Sequence, residues 1–187
     1  LLIASYEITS ALFGYGSFDE IGINNSARAL FYFALGLPAF SLIKVFTSFL
    51  FARHNTKIPF YISLFSVILN ASLSIYFFSK IGFIIIPIAT TISSWFNALI
   101  LFLFLRYKNY FQFNLIFLST VPKIILSTTL MGYIFYLLIN FFSDKLSYSY
   151  EFKLIYLILI VIFTFFVYLA SSVLTKAFKL SDIKLKY

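Results

Sequence analysis

FYFALGLPAFSLIKVFTSFLFARHNTKIP, residues 31–59, is the stretch whose reading decides the fold. It is a long apolar run with a single cation, Lys44, in its middle. It stops abruptly in a short basic loop, Ala52–Lys57, closed by Pro59. About 20 consecutive apolar residues are what a helix needs to cross the hydrocarbon core of a bilayer. The run therefore reads as a membrane-spanning helix. Pro38, preceded by Gly36, falls in its interior. It predicts a kink, because proline removes a backbone hydrogen bond and clashes with the turn before it.

The rest of the chain repeats this pattern of long apolar span and short loop. Of 187 residues, 62% are hydrophobic and 11% are charged, and the mean hydropathy is +1.00. A soluble domain of this size leaves much of its surface wet and could not hide so much apolar area. The net charge of +8 sits in short loops and the tail, which is a topology signal and not a nucleic-acid footprint. There is no cysteine, hence no disulfide, thiol nucleophile or Cys-based metal site. No basic segment precedes the first apolar run, which argues against a signal peptide and for an N-terminus further upstream.

The expected fold is all-α and polytopic, with five transmembrane helices plus the end of a sixth. Residues 1–13 are too short to span and read as the end of a truncated transmembrane helix, with Glu7 near the interface. Residues 14–26 read as a periplasmic loop, with Ser26 capping the next helix. Residues 27–106 hold three helices, at about 27–51, 59–78 and 83–105. Two more follow within 107–175, and 176–187 form a basic tail. Loops separated by two spans share a side. Arg53, Lys57, Arg106, Lys108, Lys176, Lys179, Lys184 and Lys186 fall on one side, and Arg28, Lys80, Lys145 and Lys153 on the other. The excess of positive charge marks the cytoplasmic side, so the C-terminus is expected there.

No catalytic constellation is present, and an enzyme is not expected. His54 is the one histidine, and the six acids are scattered at loops and ends. Lys44 has three readings. It can snorkel toward the interface roughly two turns away, it can meet a carbonyl freed by Pro38, or it can line a cavity and face an anionic ligand. Ser63, Ser66, Asn70 and Ser74 share one helical face, and Thr90, Ser94 and Asn97 another, at spacings of three and four. Small hydroxyl residues of this kind let helices approach and bond across the gap. Asn70, Ser74 and Thr90 also offer neutral oxygens to a weak cation site. Trp95 lies mid-span, which favours packing against another helix.

LFGYGSFDE (Leu12–Glu20), ALGLPAFSLIKVFTSFLFARHNTKIP (Ala34–Pro59) and SSWFNALILFLFLR (Ser93–Arg106) resemble the C-terminal part of the MurJ/MviN lipid II flippases. Those belong to the multidrug/oligosaccharidyl-lipid/polysaccharide exporter superfamily. The resemblance implies a fourteen-helix transporter of the bacterial inner membrane, of which this chain holds the end of the ninth helix and the tenth to fourteenth. It implies alternating access for lipid II, the lipid-linked pyrophosphate precursor of peptidoglycan, with membrane lipids and the missing N-terminal half as partners. Lys44 and Lys123 are then the candidate substrate cations. A sodium ion, bound at positions matching Asn70, Ser74 and Thr90, or the membrane potential is the implied driving force. The rival readings are a related polysaccharide or drug exporter and a non-transporting membrane subunit.

Overall fold

The computed structural model describes residues 1–16, 18–110 and 115–177. Among the described residues every regular element is helical: α1 (Ser5–Phe13), α2 (Glu20–Ala52), α3 (Lys57–Ile81), α4 (Ile85–Tyr107), α5 (Leu115–Phe141) and α6 (Lys153–Leu174). Among the described residues, four stretches are long and apolar enough to cross a membrane: Glu20–Ala52, Lys57–Tyr107, Ser119–Phe141 and Lys153–Leu174. The second, α3 and α4 taken together, has 51 residues. As one straight helix it would reach ~76 Å, more than twice a hydrocarbon core. A turn at Gly82–Ile84 folds it into a hairpin instead. Gly82 sits at φ 73°, in the left-handed region that favours glycine.

Much large apolar surface faces outward, and small polar residues share the interior with aliphatic ones. Large apolar side chains such as Phe60, Val67, Ile75 and Phe166 are exposed, while Ser66, Ser93, Ser94, Ser127, Thr164, Ser171 and Ser172 are buried. In lipid there is no hydrophobic force between helices, so small residues that permit close approach make the contacts. The α3–α4 hairpin follows this rule, with Ala89, Ser93, Ser94, Asn97 and Ala98 buried on α4 and Ser66 on α3. The antiparallel pair α5–α6 does likewise, and Ser127 meets Thr175 at 3.2 Å.

The chain forms two compact units. The first takes Leu1–Ser5 and the chain from Asn24 through α4. The second takes Tyr6–Ile23 together with α5 and α6. In the first unit, Phe46 and Leu50 of α2 are buried against Leu101 and Leu105 of α4.

The loop expected over 14–26 is shorter than the sequence reading had it. Helix α2 begins at Glu20, and Ser26 lies inside it. Asp19 is the cap, its side chain accepting one of the amides that the first turn leaves unpaired. Its Oδ1 accepts from the Gly22 amide at 2.8 Å and its carbonyl from Ile23 at 3.1 Å. Glu20, in the first turn, then complements the positive end of the helix dipole. The cap at Asp19 thus starts the helix two turns before the apolar run does.

Helices α2, α4 and α6 end alike. His54, Asn109 and Lys176 take left-handed φ of 57°, 55° and 55°. Around His54, the Asn55 amide donates to Leu50 O at 3.0 Å and the His54 amide to Phe51 O at 2.9 Å. The same pair of bonds recurs from Tyr110 to Leu105 and Asn109 to Arg106, and from Ala177 to Ser172 and Lys176 to Val173. This is the Schellman closure, usually made with glycine. Residues 111–114 of the expected loop, and Lys179, Lys184 and Lys186 of the expected tail, lie outside the described residues.

Candidate functional site: a proline-containing helix and its exposed lysine

Helix α2 continues unbroken through Pro38. Proline leaves the carbonyl four residues back, that of Ala34, without its helical amide. Helix α4 reaches two neighbouring carbonyls of the same stretch. Trp95 Nε1 donates to the Leu35 carbonyl at 3.0 Å, and Thr91 Oγ1 donates to the Tyr32 carbonyl at 2.7 Å. Gly36 makes the approach possible, since a Cβ there would lie 3.1 Å from Thr91 Oγ1 and 3.5 Å from Thr91 Cα. Lys44 makes neither bond.

Lys44 is exposed. Phe46 and Leu50, which face α4, stand two and six residues further on. At 3.6 residues per turn they lie about 200° and about 240° around the helix from it. Lys44 therefore occupies the side of α2 away from that core. From Ile21 to Ser143 the sequence contains no Asp or Glu, so no carboxylate of the first unit can neutralise it. Thr47 and Phe51, three and seven residues beyond Lys44, fall on the adjoining stripe of α2. They line a groove of ≈ 530 Å³ shared with Lys57, Phe60 and Ser63 of α3.

At the end of the first unit where α2 stops, Arg53 lies over the rings of Phe49 and Tyr110, at 4.9 and 4.1 Å from their centroids. A guanidinium over a ring face is attracted by the ring quadrupole. The end of α2 and the end of α4 are thereby held together, and Arg53, Lys57, Arg106 and Lys108 gather at one end of the unit. Lys80 is at the other end of α3.

Asn70, Ser74 and Thr90 come together across the hairpin. Asn70 Nδ2 donates to Thr90 Oγ1 at 3.2 Å, Ser74 Oγ donates to Asn70 Oδ1 at 3.2 Å, and Thr90 Oγ1 donates to Ile86 O at 2.8 Å. Each of the three side chains takes part in these bonds, and the Asn70–Thr90 bond ties α3 to α4 as an interhelical clamp. Asn97 reaches Ser63 only at 3.5 Å, and its Oδ1 is buried without a partner.

In the second unit, Lys123 is half-buried near the start of α5. One turn on, Ser127 is buried against the end of α6. Beside it Ile124, Tyr168, Leu169 and Ser172 border a gap of ≈ 260 Å³.

A family model described as Lipid II flippase MurJ matches residues 1–159 continuously. The chain belongs to the MurJ lipid II flippase family. Its relatives include proteins named probable lipid II flippase MurJ. The Thermotoga maritima protein is 33% identical over 183 residues, covering 98% of this chain and 35% of the relative. Those of Rickettsia prowazekii and Rhizobium meliloti are each 31% identical, over 80% and 79% of this chain and 30% and 28% of their own lengths. The chain thus spans about a third of the length of the curated MurJ relatives it matches.

Two features escape a sequence reading. Trp95 looks like a packing residue, yet it is a hydrogen-bond donor to a backbone carbonyl 60 positions away. Lys153 looks like a loop cation that reports topology, yet it is 1% exposed, the largest fully buried side chain among the described residues. Its position next to the start of an apolar run carries no signal that distinguishes it from Lys145.

Proposed function

We propose that this chain is the C-terminal portion of a lipid II flippase, an integral protein of the bacterial inner membrane. It would move the undecaprenyl-pyrophosphate-linked peptidoglycan precursor from the cytoplasmic to the outer leaflet by alternating access. The observation that carries this reading is the unbroken family match through residues 1–159. On this reading α2 to α6 are five crossings of a fourteen-helix transporter, α1 is the end of a sixth, and the basic end of the first unit faces the cytoplasm.

The chemistry of Lys44 supports a role in holding the cargo. The pyrophosphate is an anion, and a cation attracts it most where no carboxylate competes and the dielectric is low. Lys123 would meet the same cargo nearer the interface, with the polyprenyl tail lying along α5 and α6. A driving force that needs no ion site in this part of the chain is the membrane potential, worth ~2.3 kcal/mol per elementary charge per 100 mV for an anion leaving the cytoplasm.

Replacement of a depleted flippase by the full-length gene tests the reading. Wild type should restore growth, and vesicles containing it should translocate lipid II. Lys44→Met at equal membrane level should fail, and Lys44→Arg should retain more activity than Lys44→Met. Failure of wild type in both assays would overturn the function, and normal growth with Lys44→Met would leave Lys44 a structural residue.

A further inference from the structure

Lys153, the first residue of α6, carries its ammonium into the interior of the second unit. Its Nζ donates to the carbonyl of Gly14, in the turn between α1 and α2, and to the carbonyl of Tyr148, in the turn between α5 and α6, each at 2.7 Å. The rings of Tyr15 and Tyr148 lie 4.6 and 4.8 Å from it. The groups holding it are two amide dipoles and two aromatic faces, one of each from either turn.

This arrangement is demanding. A buried ammonium is costly unless its protons are bonded, so neither carbonyl can leave without stranding the charge. Glycine is required at position 14, because a Cβ there would stand 2.8 Å from Lys153 Nζ and 2.5 Å from Ser10 O. A second tie joins the same turns, where the Tyr148 hydroxyl donates to the Phe18 carbonyl at 3.0 Å. The two turns are 139 residues apart in the chain at the Lys153–Gly14 bond, and the whole of α2 to α5 intervenes.

We propose that Lys153 is a pin that makes the α1–α2 turn and the α5–α6 turn one mechanical body. Residues 14–16 then follow α5 and α6 in any motion, although they are covalently continuous with α2. The inference does not depend on the transport reading.

Hydrogen exchange of the full-length protein in lipid nanodiscs tests it. The reporters are hydrogen-bonded amides on both turns: Gly14 and Tyr15 on one, Tyr150 on the other. Two charge-assisted bonds are lost in Lys153→Met, so exchange at both turns should rise at least about tenfold, with α3–α4 unchanged. Loosening of Tyr150 alone, or no change at either turn, would overturn the pin. Tyr15→Leu is the second variant, because Tyr15 is exposed and its loss spares the core. If Lys153→Met does not accumulate, Tyr15→Leu decides. Faster exchange at Tyr150, across the gap, supports the pin, and wild-type exchange there refutes it.

Discussion

His54 shows how a residue can matter through its backbone alone. As the single histidine it invites a chemical role, but it stands at φ 57° and closes α2. A non-glycine residue in this conformation costs ~1–2 kcal/mol. Thermal unfolding of the full-length protein in detergent should therefore show His54→Gly at or above wild-type stability, and His54→Val below it. Destabilisation by glycine equal to that by valine would mean that the imidazole itself is needed. Lys44 is the opposite case, a residue whose side chain carries the argument. Both sit in the one stretch of sequence that decides the fold, and only Lys44 could be picked out beforehand. A charge in an apolar run is visible in a string of letters, whereas the sign of φ is not, unless the residue is glycine.

At the scale of elements, α2 and α4 form the informative pair. Pro38 and the mid-span tryptophan are both legible in sequence, but the bond that links their helices is not. Nothing in the local pattern says that Trp95 reaches Leu35. Gly36→Val should push α4 away, and overpacking of this kind costs ~1–3 kcal/mol. Thr91→Ala added to Gly36→Val should recover part of the loss by removing the atoms the new side chain meets, and a double-mutant cycle measured by thermal unfolding checks this. Additive losses would place the clash elsewhere. The α3–α4 clamp gives a different expectation. Asn70→Ala should cost about 1 kcal/mol, and replacing sodium by potassium at equal ionic strength should leave the midpoint of either form unmoved. A sodium-dependent midpoint abolished by Asn70→Ala would restore the ion-site reading. Helix starts were poorly legible: the apolar pattern placed the beginning of α2 at residue 27, while the polar cap at Asp19 sets it at Glu20. Periodicity reports where a helix meets lipid, and capping chemistry reports where it begins.

For the whole molecule, the all-helical, membrane-spanning character is legible in the long apolar runs separated by short loops. Membrane sidedness rests on charge counting. Cysteines at Lys57 and Lys108 of the full-length protein should react with an impermeant thiol reagent only from the cytoplasmic side, and a cysteine at Lys80 only from outside. The reverse labelling would invert the topology. Least legible was the discontinuous second unit, in which residues 6–23 join α5 and α6. Its organiser is a buried cation bonded to backbone carbonyls, which every residue has, so no partner position in the sequence betrays it.

The 123 positions from Ile21 to Ser143 hold no acid and one histidine. Their formal charges are all carried by lysine and arginine. The first unit is therefore a positive field with no carboxylate of its own to offset it.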